Sequence, residues 1–278
     1  MQPYKELGLL GPDPKDIRDY QLLAIQPDKV ELPDEYCLIP KMTSIQCQNW
    51  GTCTSHAVDG VKEFLDKLEY QKEIKLSQKF IYYNTKKISN YYFTEGDSLR
   101  NALKAVCKYG ACKEETFLDV PEKNWQEYIA KEPPFSAYQE AIEFQAKSYW
   151  SVPVTLENLK QACFKNQRPL IMGMEWYLSY YDILADGKLP LPKKVCGGHA
   201  LIYVGWTKGK QWFRNSFGKD WGYNGYFYIP DEEWSKHKFF PNAWILLDYS
   251  YSVMVKILGT LRQLIALYQQ LIEKVAKK

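Results

Sequence analysis

A cysteine becomes a strong nucleophile as its thiolate, and the free N–H groups at a helix N-terminus favour that form. Cys53 is placed for this by sequence alone. Ala57, Val58, Val61, Phe64, Leu65 and Leu68 recur on one helical face. Just ahead of them, Gly51 allows a tight turn and Thr52 offers an N-cap. The spacing predicts a helix over residues 53–70 with Cys53 in its first turn. His199 follows Gly197-Gly198 and opens an apolar run. The two glycines let the backbone bend and leave open space beside the imidazole. Asn215 ends the run from Gln211, and Ser216-Phe217-Gly218 turns away from it. An amide there can hold one ring nitrogen of a histidine while the other faces a thiol. Taken singly, each residue has an ordinary structural explanation: a buried cysteine, a strand-edge histidine, an asparagine before a turn. Taken in order, a cysteine near the start of a domain with histidine and asparagine far downstream is a pattern used by nucleophilic cysteine enzymes.

The surrounding residues carry a more specific signal. Gln48-Asn49-Trp50-Gly51-Thr52-Cys53-Thr54-Ser55-His56-Ala57 resembles the nucleophile motif Q-G-x-x-G-S-C of the papain-like cysteine peptidases, in particular its bacterial and viral branches, where Thr follows the cysteine. Gly197-Gly198-His199-Ala200 resembles the histidine motif. The run from Asn215 to Tyr226, with Phe217-Gly218, Trp221-Gly222 and Gly225-Tyr226, resembles the asparagine motif N-S-W-G-x-x-W-G-x-x-G-Y. Leu76-Ser77 and Glu95-Gly96-Asp97-Ser98 stand where the family has its second helix and glycine-rich groove. The resemblance covers roughly residues 30–248. It implies peptide-bond hydrolysis by Cys53, His199 and Asn215 through a thioester, on a protein or peptide substrate and with no metal or organic cofactor. It also implies substrate-binding roles for Gly96, Asp97, Gly198 and Trp221.

Three departures stand out. The position of the family's oxyanion glutamine is taken by Cys47, with Gln48 one residue nearer the nucleophile and Gln46 one residue farther. A one-residue deletion assigns the oxyanion role to Gln48, with Gln46 as the alternative. Phe217 replaces a tryptophan that screens the His–Asn pair in the family. The segment before the domain is much shorter than papain's inhibitory propeptide, so either a propeptide has been removed or activity is controlled differently. His56, on the nucleophile's own helix, is a rival base, and a Cys47–Cys53 disulfide would silence the thiol. Rival functions are a catalytically inactive peptide-binding or scaffold protein, and a transglutaminase or amidase with similar thiol chemistry.

The elements that must position these residues fall into two halves. Ser77 to Ile88 and Ser98 to Lys108 read as further helices, the latter ending near Gly110; Leu156 to Asn166 reads as another helix and Pro169 to Trp176 as a strand. From His199 onward short aromatic and β-branched runs are bounded by glycine: Ala200 to Gly205, Gln211 to Asn215, Gly225 to Ile229. This predicts an α+β protein with the papain-like two-lobe fold: a helical N-terminal lobe and an antiparallel, barrel-like β lobe. Residues 1–30, with Gly11-Pro12-Asp13-Pro14, read as an extended leader lying on a surface; 31–248 as the peptidase domain; and 249–278 as a separate amphipathic helix. In that tail Met254, Ile257, Leu261, Leu264, Tyr268, Leu271 and Val275 recur in heptad-like steps, which suggests self-association, a protein partner or coiled-coil packing.

Composition sets outer limits. The chain has 278 residues, 46% hydrophobic and 25% charged, which excludes bulk disorder. A net charge of +3 without a long basic run argues against nucleic-acid binding. No apolar stretch is long enough for a transmembrane helix, and residues 1–30 show no apolar signal-peptide core. The compartment is left open, with the cytoplasm favoured. The seven cysteines include no C-x-x-C, and with only three histidines no zinc site is expected.

Overall fold

The helix that starts at Cys53 is the centre of the molecule. In the computed structural model, which describes residues 6–92, 94–120 and 122–249 together with 264, 267–269 and 272, α2 runs from Cys53 to Tyr70. Every residue from Cys53 to Asp66 is buried. A helix hidden on all sides cannot leave its polar face to water, so its charges are paired internally. Lys62 lies between the carboxylates of Asp66 and Asp248, 2.7 Å from the latter. Asp59 accepts from Gln46 and Gln78, and Glu63 accepts from Thr43 and the Leu76 N–H.

The helical lobe is completed by α3 (Gln78–Ser89) and α4 (Leu99–Tyr109), packed on α2 and on each other. Ser77 and Ser98 cap them, accepting from Phe80 N at 3.0 Å and Asn101 N at 3.2 Å. Two short helices, α5 (Trp125–Ala130) and α6 (Phe135–Ala141), close the outer side. A further helix, α7 (Leu156–Asn166), packs on the β lobe and is capped by Thr155.

The other lobe is one antiparallel sheet. Its strands are β1 (Tyr36–Cys37), β2 (Ala146–Pro153), β3 (Leu170–Tyr177), β4 (Val195–Thr207), β5 (Lys210–Arg214), β6 (Tyr226–Pro230) and β7 (Asn242–Asp248). They lie in the order β2-β7-β3-β4-β5-β6, with β1 added to β4. The sheet is open rather than closed into a barrel, so the barrel-like expectation holds only loosely. The strand of His199 begins at Val195, earlier than the apolar run suggests. Gly197 and Gly198 are strand residues paired with Trp176 and Glu175, not a bend.

Residues 19–30, the later part of the leader, pack against the β lobe and its helix. Leu22, in the short helix α1 (Leu22–Ile25), is buried in the main core, and Tyr20 O accepts from Ser151 N at 2.7 Å. Gln161 of α7 exchanges hydrogen bonds with both backbone groups of Val30. The amphipathic tail expected over 254–275 lies outside the described residues except at five positions. Those five are helical, and Leu264 and Tyr268 among them are exposed.

Candidate active site

Cys53 opens α2, and its sulfur, completely buried, accepts the backbone N–H of Ala200 at 3.4 Å. That contact joins the start of the central helix to the residue after His199, across the seam between the lobes. Thr52 is the N-cap residue, but its hydroxyl does not cap; it donates to Trp50 O and meets His56 Nδ1. Gln48 is also buried. Its Nε2 donates to Glu6 O at 2.7 Å and Trp50 O at 3.1 Å, and its Oε1 accepts from Ser216 Oγ at 2.5 Å. Gln46 instead donates to Asp59 and, with His56, lines a cavity of about 220 Å³ shared with Glu63, Gln78 and Asp119.

The imidazole is fixed by hydrogen bonds whose roles leave no choice. Asn215 Oδ1 accepts from the Ser216 N–H at 2.8 Å and meets His199 Nε2 at 2.7 Å. An amide oxygen can only accept, so Nε2 carries the proton and Nδ1 is left as the basic nitrogen. Rings enclose the pair. Trp176 lies 4.5 Å and Phe217 4.7 Å from His199 between centroids. Tyr181 stacks on Phe217, and Trp221 meets both Trp176 and Phe217. Phe217 thus screens the imidazole as a tryptophan would. Trp221 is 1% exposed inside this stack and presents no face to a ligand. Trp176 was not singled out by sequence; only its register opposite Gly197, which needs the sheet, marks it.

The cleft is filled by the chain's own leader. Leu9 bridges the two walls, parallel to Asp97 and antiparallel to Gly198. Its N–H donates to Gly198 O at 3.2 Å, Asp97 N donates to Gly8 O at 2.8 Å, and Leu10 N donates to Asp97 O at 3.3 Å. Three glycines make the fit close: a Cβ on Gly8 would stand 1.8 Å from Gly51 O, one on Gly197 2.9 Å from the Leu7 side chain, and one on Gly198 2.4 Å from Leu9 O. The open space expected beside Gly197-Gly198 is there, and the leader occupies it. Of the expected groove residues, Gly96, Asp97 and Gly198 line this channel.

Burial governs the charges. It pushes the Cys53 thiol up to about 11 and, as the largest effect, drives His199 down to about 4 against the opposing bond from Asn215. Both shifts favour the neutral forms of the thiol and the imidazole. All seven cysteines are free, so neither Cys47 nor any other thiol is bridged to Cys53.

This fold and sequence define a known class. The sequence model of papain family cysteine proteases matches residues 27–238, and the chain belongs to that family. It is 27% identical over 269 residues, 89% of this chain and 85% of the other, to an uncharacterized peptidase C1-like protein of Acanthamoeba polyphaga mimivirus. Among solved structures it resembles xylellain, a cysteine protease from Xylella fastidiosa, with a TM-score of 0.75 and 25% identity over 90% of this chain and 99% of that one. It shares the fold of a Carica candamarcensis cysteine protease, with a TM-score of 0.59 and 15% identity over 78% of this chain and 99% of that one. Among the described residues no helix is long and apolar enough to cross a membrane.

Proposed function

We propose that the protein is a peptidase that cleaves internal peptide bonds with Cys53 as nucleophile, His199 as acid and base, and Asn215 as the group that orients the ring. The observation that carries this reading is the 2.7 Å bond from His199 Nε2 to Asn215 Oδ1, because it leaves Nδ1 as the basic nitrogen, buried and without a hydrogen-bond partner, on the strand whose next residue, Ala200, donates to the Cys53 sulfur. Once the leader leaves, water reaches the cleft and the desolvation that favours the neutral thiol is reduced. The proton then moves from Cys53 to His199 Nδ1. The thiolate attacks a peptide carbonyl, the C–N bond breaks, and the imidazolium gives its proton to the departing amine. Water, deprotonated by His199, adds to the thioester; the acid leaves and the thiol is restored. The Gln48 amide, already donating to a backbone carbonyl of the leader, is the side-chain donor for the oxyanion.

The leader is a resting-state plug and not a substrate. Its strand is held across both walls of the cleft by backbone bonds to Gly198 and Asp97, so it blocks the path that an extended peptide would take. Intact mass after incubation with an epoxide peptide inhibitor tests the reading: one adduct on the full chain and none on Cys53→Ala supports it. Binding of peptide with no adduct and no cleavage favours the inactive peptide-binding alternative. Self-association through the tail is a separate proposal, supported by exposed Leu264, Leu267, Tyr268 and Ile272. A monomeric mass by light scattering of the full chain would overturn it.

A further inference from the structure

Lys86 lies in the last turn of α3 with a side chain that is 0% exposed. Burying an ammonium is costly unless the surroundings replace its water. Here they do. Nζ donates to Thr94 O at 2.8 Å and to Gly96 O, and it lies 3.8 Å from the Asp97 carboxylate. The rings of Tyr82, Tyr91 and Trp125 stand 5.5, 5.5 and 5.8 Å away, close enough for cation–π attraction. The same short loop is tied down at its other polar groups. Gly96 N donates to the Tyr82 hydroxyl at 2.7 Å. The Asp97 carboxylate accepts from Ser98 N, Asn101 Nδ2 and Ser89 Oγ at 2.8, 2.8 and 2.7 Å.

The consequence is directional. With the Gly96 carbonyl and the Asp97 carboxylate turned inward, the backbone N–H and C=O of Asp97 are what face the cleft. Those two groups take Gly8 O and Leu10 N of the leader, the pairing of an extended peptide on a strand edge. Gly96, at φ +85°, turns the loop where a Cβ would come within 2.8 Å of Gly8 O.

The geometry points to Lys86 as a positioning residue for extended peptides: its buried ammonium aims the Asp97 backbone edge, and so sets how tightly peptide strands, substrate and leader alike, bind beside Cys53. This inference rests on the peptidase reading. The test uses the full chain and compares two reagents for Cys53, an epoxysuccinyl dipeptide that must lie along the groove and iodoacetamide that need not. Both require the leader to be out of the cleft, so its occupancy cancels in the ratio of their second-order rates. In Lys86→Met the ratio falls about tenfold while the iodoacetamide rate is maintained or rises, about 1.4 kcal/mol of strand binding by the conversion of a decade. Lys86→Gln keeps an N–H donor without the charge and loses about threefold; it decides the matter if Lys86→Met does not fold by near-ultraviolet circular dichroism. A ratio within twofold of the unsubstituted chain in the folded variants overturns the inference, because a merely structural lysine moves both rates together. Failure of either reagent to label Cys53 in the unsubstituted chain is a different result: the peptidase reading fails, and the inference with it.

Discussion

The wall of the cleft that carries Cys53 rests on buried charge, and the wall that carries His199 rests on aromatic rings. On the first, Lys62, Lys86, Asp59 and Glu63 are all sealed from water and answered by partners named above. On the second, Trp176 and Phe217 flank the imidazole, and Trp221 and Phe227 pack edge to face behind them. The difference follows from geometry. A helix sandwiched between two lobes has backbone bonds only to itself, so side-chain charge must fix what lies beside it. A strand is already fixed by its ladder, so its neighbours need only exclude water. Charge gives direction, and loses it when protons move; rings give exclusion, and lose it when volume is removed.

The largest expected effect spans both walls. Cys53→Ala or His199→Ala abolishes peptide hydrolysis while thermal unfolding stays cooperative, and residual turnover in Cys53→Ala would break the assignment. Next comes volume on the aromatic wall. Trp176→Ala costs about 3–5 kcal/mol of stability, the range for a fully buried tryptophan, measurable by urea unfolding. Lys62→Met strands the Asp66 and Asp248 carboxylates and costs about 3–5 kcal/mol at neutral pH, but unlike the tryptophan loss it shrinks at low pH as those carboxylates take up protons; a loss independent of pH would erase the contrast. Third is the oxyanion donor: Gln48→Ala lowers kcat roughly 10²–10³-fold with KM little changed, and Gln46→Ala does much less. Ser216→Ala, which frees the Gln48 amide to turn, falls between them. Gly8→Ala acts on the plug alone. A methyl that meets Gly51 O at 1.8 Å displaces the leader, so iodoacetamide labels Cys53 faster than in the unsubstituted chain, and a slower rate would show that the leader does not guard the thiol.

The smallest effect, with pH, separates the walls most sharply. Burial raises Glu63 to about 7, so its folded form holds a proton that the unfolded chain has released. Its contribution is present below the ordinary 4.5 and is lost as pH rises through 7. Burial lowers His199 and His237 to about 4, so their contribution is present above 6.5 and is lost as pH falls through 4. Hydrogen-exchange protection factors, which remove the intrinsic pH dependence of amide exchange, should therefore fall in α2 on raising the pH from 4.5 to 7 and in β4 on lowering it from 6.5 to 4. Parallel trends in both elements would mean that one cooperative unit hides the difference. Asp13, raised by burial against the start of α4, works against acid release of the leader, because its grip tightens as pH falls.

Much of the candidate site could be read from the chain itself. Helix α2 begins at the predicted residue because its apolar period and its preceding Gly-Thr turn are local properties, and α7 matches at both ends for the same reason. Motif order singled out Cys53, His199 and Asn215, and His199 and Asn215 are hydrogen-bonded in the fold; of the two glutamines weighed, Gln48 turns its buried amide to the leader and Gln46 turns to Asp59. What escaped the sequence depends on contacts between residues far apart in the chain. The short helix α5 and strands β1 and β7 have little local signal, and each is held by its partner elements. Trp221 stands in a motif but is enclosed by rings from other segments. Trp176 and Lys86 are a common strand tryptophan and a common helix lysine until the fold puts a histidine 4.5 Å from one and two carbonyls on the other. Leu9 is one leucine in a polar leader until it pairs with Asp97 and Gly198. Local periodicity and residue chemistry are written along the chain and determined which groups could react; which of them are dry, aimed and covered was decided by tertiary packing, because burial is a property of neighbours that no single segment contains.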